Sequence, residues 1–271
     1  MNLIPSFDEI FGEETPVIIG VIHLKPLPGS PLYDGNMDRI MSDAIRDAKA
    51  LEDGGVDGII VENFGDRPYL KRVEDPETLV AMAVIVKEVI REVSVPVGVN
   101  VLRNSAEESL AIAYVTGGRF IRVNAYVETI VSDSGIIEPA APKVLRKARS
   151  LDAKIGILAD VHVKHAKPLG ERELEEVIID AFERGLATAV IITGPRTGEP
   201  PREEFLRRAK YINKGPVLIG SGLRPDNIKL LKYADGAIVG SYFKKKDIFS
   251  PVDRERVRRL VELAKKYSKN K

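Results

Sequence analysis

The sequence predicts a single (β/α)₈ TIM barrel, and three observations support this fold class. Short apolar, β-branched runs alternate with longer amphipathic stretches, which is the order that produces βαβ units and a parallel sheet. Eight such runs occur within 271 residues, a length that one barrel commonly uses. Polar residues collect where the runs end. We therefore expect one domain, residues 1–271, with a ligand site at the C-terminal face of the barrel.

The predicted strands are apolar over most of their length, as strands buried on both faces should be. They cover residues 17–23, 58–62, 97–102, 120–124, 154–160, 189–193, 216–220 and 236–240.

Charged, amphipathic segments with helix start and stop signals lie between these strands. They predict helices over residues 36–53, 75–92, 138–149, 171–184, 202–211, 225–233 and 253–266, with a further helix that opens at Ser105. Residues 1–16 are expected to form an N-terminal extension, and residues 253–271 a C-terminal helix and tail. An open doubly wound sheet is the alternative fold, but it places its glycine-rich phosphate turn after the first strand. Here the glycine turns come last.

The composition restricts the class of partner. The 41 Lys and Arg residues nearly balance 40 Asp and Glu residues, which argues against a nucleic-acid binder and favours a small ligand. The absence of cysteine excludes disulfides, a thiolate nucleophile and Cys-ligated metal sites. The start of the chain lacks the pattern of a signal peptide, and no apolar run is long enough to span a membrane. We expect a cytoplasmic protein, and one that can self-associate as a homo-oligomer.

Polar residues at strand ends are the candidates for catalysis and substrate binding, because barrel active sites are built there. Asp160 and His162 are two residues apart, so on an extended strand both point into the barrel mouth, where they can act as an acid–base pair. Each histidine has the alternative of merely bonding loop backbone. The catalytic candidates are His23, Glu62, Asp160, His162, Lys164 and His165. The candidates for substrate binding are Asn63, Asn100, Arg103, Asn104, Arg122, Asn124 and Thr193. The alternatives are turn capping for Asn63 and Asn104, and ion pairs with Glu62 and Asp160 for Arg103 and Arg122.

The sequence requires no cofactor, but a divalent metal remains an alternative to metal-free acid–base chemistry. Its ligands would be drawn from His23, Glu62, Asp160 and His162. Arg122 lies within an apolar strand, so we expect it to have a ligand or a carboxylate partner such as Glu62 or Asp160.

Two glycine turns after the last two strands predict a phosphate-binding cradle. Glycine lets backbone N–H groups approach an anion closely, and barrels often bind phosphate after strands 7 and 8. The alternative is that these glycines only turn the chain. The predicted cradle comprises Gly220, Ser221, Gly222, Gly240 and Ser241. The glycine- and proline-containing loop 193–201 is a candidate lid or a rigid connector, and Lys244 is either an added cation or part of a solvated run.

Several phrases in order resemble the BtpA family. They are HLKPLPG at 23–29, ENFGD at 62–66, NVLRN at 100–104, FIRVN at 120–124, DVHVKHA at 160–166 and ADGAIVGSYFK at 234–244. The resemblance implies a TIM barrel that is structurally related to phosphate-binding barrels. It also implies a role in photosystem I assembly or persistence for one cyanobacterial member, whereas other members occur in organisms without photosynthesis.

Two functions follow as hypotheses. The first is an enzyme that acts on a phosphorylated sugar or a nucleoside- or nucleotide-like metabolite by acid–base chemistry, as a lyase, isomerase or hydrolase. The second is a non-catalytic factor for the biogenesis or stability of a membrane complex.

Overall fold

Eight parallel strands close into a barrel in chain order in the computed structural model, which describes residues 3–163 and 165–269. Each strand pairs with its successor, and the last pairs with the first through the Val17–Gly236 register. The predicted barrel is therefore confirmed. Its strands are β1 Val17–His23, β2 Gly58–Glu62, β3 Val97–Asn100, β4 Phe120–Val123, β5 Gly156–Val161, β6 Ala189–Ile192, β7 Val217–Ile219 and β8 Gly236–Val239.

Helices surround the barrel and bury a large apolar layer against the strands. The α-helices are α1 Phe7–Phe11, α2 Met37–Asp53, α3 Pro76–Glu92, α4 Ala106–Thr116, α5 Ala141–Leu151, α6 Leu174–Glu183, α7 Glu203–Ile212 and α8 Arg254–Lys269. Short 3₁₀-helices cover Pro225–Tyr233 and Ser241–Phe243.

Several predicted boundaries were wrong by a few residues. Helix α5 begins three residues after the predicted start at residue 138, because Pro139 disfavours helical backbone at Glu138 and Pro142 occupies the first turn. Strand β3 ends at Asn100 rather than residue 102, whereas β5 continues to Val161.

Helix α1 closes the N-terminal end of the barrel, in the segment predicted only as an extension. Ser6 and Glu9 form a reciprocal capping box, which stabilises the start of this short helix. Phe7 and Ile10 belong to the apolar cluster that fills the barrel interior. Phe11 packs edge-on against Phe120, with 5.1 Å between ring centroids.

We expect Phe7→Ala to lower the free energy of unfolding by about 3–5 kcal/mol, because Phe7 is only 3% exposed and the substitution leaves a cavity. Tyr211→Ala is the control, since Tyr211 is 90% exposed and its loss should change stability by less than about 0.5 kcal/mol. Urea denaturation of both variants measures the difference. Equal stability of the two variants would show that α1 does not contribute to the core.

A small antiparallel sheet that was not predicted lies beside the C-terminal end of the barrel. It consists of Ile130–Ser132, Gly135–Ile137 and Ala166–Pro168, and we call it the mouth sheet. The loops after β4 and β5 supply it. Because the sheet ties these loops together, residues from both are held at the barrel mouth.

Over the described part of the chain, no helix combines the length and the apolar composition that crossing a bilayer requires.

Candidate functional site

Several barrel strands end with a polar residue or a glycine on the side that faces the barrel interior. Alternate residues of a strand face the same side. Val21, Ile60 and Phe120 belong to the interior apolar cluster, so the residues two positions later also face inward. The layer formed in this way comprises His23, Glu62, Asn100, Arg122, Asp160, Thr193, Gly220 and Gly240.

Above this layer lies a cavity of about 550 Å³ at the C-terminal face. That position is where barrel enzymes have their active sites. Many predicted site residues line it, namely His23, Glu62, Arg103, Arg122, Asn124, His165, Gly220, Ser221, Gly222, Gly240 and Ser241.

An ion-pair network forms the floor of the cavity. Arg122 Nε and Nη2 each donate to a different oxygen of Asp160 at 3.1 Å, and Arg122 Nη1 lies 3.9 Å from Glu62 Oε2. Asn100 Nδ2 donates to Glu62 at 2.6 Å, and Asn124 Nδ2 donates to Asp160 at 2.5 Å. Arg122 therefore has the carboxylate partners that its burial demands, and Asp160 is held by two donors below the ligand space.

The charges of this network keep Arg122 ionised. Burial alone lowers the pKa of a guanidinium, but the carboxylates of Asp160 and Glu62 outweigh it and raise the pKa of Arg122 above its usual value. Two carboxylates face one guanidinium, so the floor contains more acidic side chains than basic ones. Of these two floor carboxylates, Glu62 lines the cavity and is 6% exposed, so a ligand can reach it, whereas Asp160 lies below the ligand space.

The two glycine turns form one wall of the cavity. In the described residues, the N–H groups of Ser221, Gly222, Gly240 and Ser241 donate no hydrogen bond to the protein. Free N–H groups on a concave wall are the arrangement that binds phosphate oxygens. The Gly220 N–H, by contrast, donates to Ile192 at 2.8 Å, so the cradle has one fewer donor than the sequence suggested.

Close packing explains two of the cradle glycines. A Cβ on Gly240 would lie 2.3 Å from His23 Cε1, so only glycine allows the imidazole to lie against this turn. A Cβ on Gly222, which has φ of +72°, would lie 2.2 Å from Pro200 N. These contacts fix His23 and the loop after β6 against the cradle.

The loop 193–201 is attached to the cradle rather than separate from it. Ser221 Oγ donates to the Glu199 carbonyl at 2.7 Å, in addition to the contact between Gly222 and Pro200. Thr197 and Gly198 of this loop line the cavity. The loop therefore forms part of the wall.

His162 does not face the cavity with Asp160, which corrects the predicted shared orientation. Alternation holds only while the backbone is extended, and His162 has φ of +48° directly after β5 ends at Val161. Its backbone N–H donates to Glu128 Oε2 at 2.9 Å, and its Nε2 lies 3.4 Å from Glu128 Oε1. Sequence reasoning missed Glu128 because it lies in a loop without a strand pattern.

A second, shallower opening of about 690 Å³ lies beside the cavity. His162 and Thr193 line this opening, whereas His165 lines both spaces and its Nε2 lies 3.0 Å from Thr197 Oγ1. Lys164, a catalytic candidate, lies outside the described residues.

Two asparagines predicted to bind substrate are instead engaged by the protein framework. Asn63 Oδ1 accepts from Leu102 N at 2.7 Å, and Asn63 Nδ2 donates to Asp66. Asn104 exchanges hydrogen bonds with the backbone of Ala125. These bonds hold the loops after β2, β3 and β4 together. Asn100 likewise donates its hydrogen bond to Glu62 and does not line the cavity.

The four candidate metal ligands do not assemble into one site. Glu62 and Asp160 are bonded to Arg122, Asn100 and Asn124, and His162 faces Glu128. Among residues 3–163 and 165–269, no group of three or more His, Asp or Glu side chains is arranged to hold a metal ion.

Lys244 is neither a cradle cation nor solvated. Its side chain is 2% exposed and its Nζ donates to Asp47 Oδ2 at 2.5 Å. Burial lowers the pKa of Lys244 despite this partner. The pair links the end of the 3₁₀-helix Ser241–Phe243 to α2.

Three polar residues that sequence reasoning missed complete the wall opposite the cradle. They are Arg67, Tyr69 and Asp133. Burial, with the charge of Glu62 adding to it, raises the pKa of Tyr69 well above its usual range, so its hydroxyl remains protonated. That hydroxyl donates to the Phe64 carbonyl at 2.7 Å.

The solved structures that resemble this chain are barrels of low sequence identity. The alignment with a structure of tryptophan synthase from Pyrococcus furiosus has a TM-score of 0.59, 20% identity, and coverage of 93% of this chain and 98% of that one. For N-(5'-phosphoribosyl)anthranilate isomerase from the same organism, the TM-score is 0.57 and the identity is 14%. That alignment covers 93% of this chain and 100% of the other. These likenesses support the fold.

The sequence relatives are much more similar. A protein of Thermococcus kodakarensis with no described function is 46% identical over 92% of this chain and 95% of its own length. The photosystem I biogenesis protein BtpA of Synechocystis is also 46% identical, over 90% of this chain and 86% of its own length. A mitochondrial protein of Caenorhabditis elegans with no described function is 34% identical over 87% of this chain and 88% of its own length. The sequence profile of the BtpA family matches residues 14–266. The chain therefore belongs to the BtpA family.

Proposed function

We propose that this protein is an enzyme that binds a phosphorylated sugar or nucleotide-like metabolite in the C-terminal cavity and acts on it by acid–base chemistry. The observation that carries the proposal is that one cavity contains both the free N–H groups of two glycine turns and a reachable carboxylate beside an imidazole.

The cradle is proposed to hold the phosphate. The N–H groups of Gly222, Gly240 and Ser241 would donate to its oxygens, and the Ser241 hydroxyl adds a donor. No acidic side chain belongs to the cradle itself. The phosphate would anchor the substrate, and the remainder would extend over the polar floor.

Glu62 and His23 are proposed to transfer protons. They are direct partners in the register between β1 and β2, so their side chains lie next to each other on the interior side. A carboxylate and an imidazole in this position can act as base and acid on neighbouring atoms of one substrate. Asp160 is proposed to hold Arg122 and Asn124 in place, without contacting the substrate.

Binding of phosphorylated compounds tests this proposal. We expect ribose 5-phosphate, fructose 6-phosphate or AMP to raise the thermal midpoint, with about 2.7 kcal/mol of stabilisation at a concentration of 100 times Kd. The matching unphosphorylated compounds should have no such effect. Ser241→Asp should abolish the shift, because its carboxylate would repel the phosphate and Ser241 is exposed enough to accept the substitution.

Ser42→Asp is the matched control, because Ser42 is exposed on α2 and does not line the cavity. It should retain the full ligand shift. The proposal fails if no phosphorylated compound stabilises the wild type, or if Ser241→Asp responds like Ser42→Asp.

A second candidate function is a role in the biogenesis of a membrane complex, which the name of the Synechocystis relative favours. Absence of any stabilising metabolite, together with retained assembly of such a complex by Glu62→Gln, would favour this function over catalysis.

A further inference from the structure

The wall opposite the cradle carries two arginines. In a barrel whose eight strands close in chain order, β3 lies across the mouth from β7, where the cradle begins. Arg103 follows β3 and Arg67 follows β2, and both line the cavity. A ligand anchored by its phosphate on the cradle therefore points its other end toward these guanidinium groups.

The guanidinium of Arg103 is held in place by its neighbours. Its side chain is 13% exposed, and its guanidinium carbon lies 4.6 Å from the centroid of the Tyr69 ring, within the range of a cation–π contact. Its ion-pair partner is Asp133 at 2.8 Å, whose side chain is 61% exposed on the turn of the mouth sheet. An ion pair with so exposed a carboxylate contributes little to the stability of the fold. A ligand anion can therefore compete for this guanidinium.

Arg67 adds a second positive charge at the same end. Its guanidinium carbon lies 5.6 Å from the ring centroid of Phe64 and 6.0 Å from that of Phe249. Among residues 3–163 and 165–269, no carboxylate lies within ion-pair distance of Arg67. Its charge is therefore open to a ligand.

The floor between the two walls offers acceptors rather than cations. Asn124 Nδ2 donates to Asp160, so the other amide atom of Asn124, Oδ1, is available as an acceptor. Asn124 is 7% exposed, lines the cavity, and its buried Oδ1 meets no donor in the described residues. Together with Glu62, this oxygen suits groups that donate hydrogen bonds, such as hydroxyls.

We infer that the ligand is a polyhydroxylated metabolite with a phosphate at each end, one phosphate on the cradle and the second on Arg67 and Arg103. The inference rests on the proposed function, because it assumes that the first phosphate occupies the cradle. Asp133 would then be displaced from Arg103 by the second anion.

Calorimetric titration with matched sugar phosphates tests the inference. The pairs are fructose 1,6-bisphosphate with fructose 6-phosphate, and ribulose 1,5-bisphosphate with ribulose 5-phosphate. We expect the bisphosphate of at least one pair to bind 10-fold or more tightly than its monophosphate at the same ionic strength. Arg103→Met should remove most of this advantage and leave monophosphate binding within about 3-fold.

Arg67→Met is the second variant, since Arg67 is exposed and its loss does not threaten folding. Arg259→Met, on the exposed face of α8 and outside the cavity, controls for the loss of one positive charge. It should keep the bisphosphate advantage.

The outcomes separate the two proposals. If neither member of either pair binds, the proposed function fails along with the inference. If the monophosphates bind and the bisphosphates bind no more tightly, only the second anion site is overturned. A bisphosphate advantage that survives in both Arg103→Met and Arg67→Met also overturns it.

Discussion

Arg122→Met is expected to lower the free energy of unfolding by about 3–5 kcal/mol, the cost of removing one partner from a buried ion pair. Arg122 is 4% exposed, and its loss leaves Asp160 and Glu62 as buried carboxylates without their counterion. Methionine fills similar space, so the loss comes from charge more than from packing. Chemical denaturation at neutral pH measures the change.

The double variant Arg122→Met/Asp160→Asn should recover part of the loss, because it removes one of the two stranded charges. Arg259→Met on α8 is the control and should change stability by less than about 0.5 kcal/mol. A loss below 1 kcal/mol for Arg122→Met, or no recovery in the double variant, would contradict the view that this network is held together by charge.

Glu62→Gln is expected to reduce turnover of the bound metabolite by about 100-fold or more, which is the usual contribution of a general base. Glutamine has the same shape and can still accept from Asn100, so the dissociation constant should change little. Once a stabilising compound is found, conversion is followed by mass spectrometry and binding by calorimetry. A change in turnover without a change in affinity distinguishes a catalytic role from a structural one.

Glu128→Gln is the matched control, because Glu128 is also a buried carboxylate but contacts His162 outside the main cavity. We expect it to retain turnover within a few-fold. If Glu128→Gln instead lost more turnover than Glu62→Gln, the proton-transfer site would be His162 with Glu128, and the assignment to Glu62 would be wrong.

The sequence was sufficient to predict most of the barrel. Apolar runs separated by helix signals located all eight strands to within a few residues, because burial on both faces demands continuous apolar residues. The capping pattern Ser6-x-x-Glu9 was also visible and could have predicted helix α1. The mouth sheet had no such signal, since its strands are three residues long and pair across the loops after β4 and β5.

The sequence by itself determined the barrel, the position of polar residues at strand ends, and the need for a partner to Arg122. These follow from local pattern and from the cost of burying a charge. Only the tertiary structure decided that His162 turns toward Glu128, that the Gly220 N–H is already bonded, and that Arg67 and Arg103 line the same cavity as the cradle. The reason is physical, because a positive φ after β5 breaks strand alternation and contacts across the mouth exist only after the barrel closes.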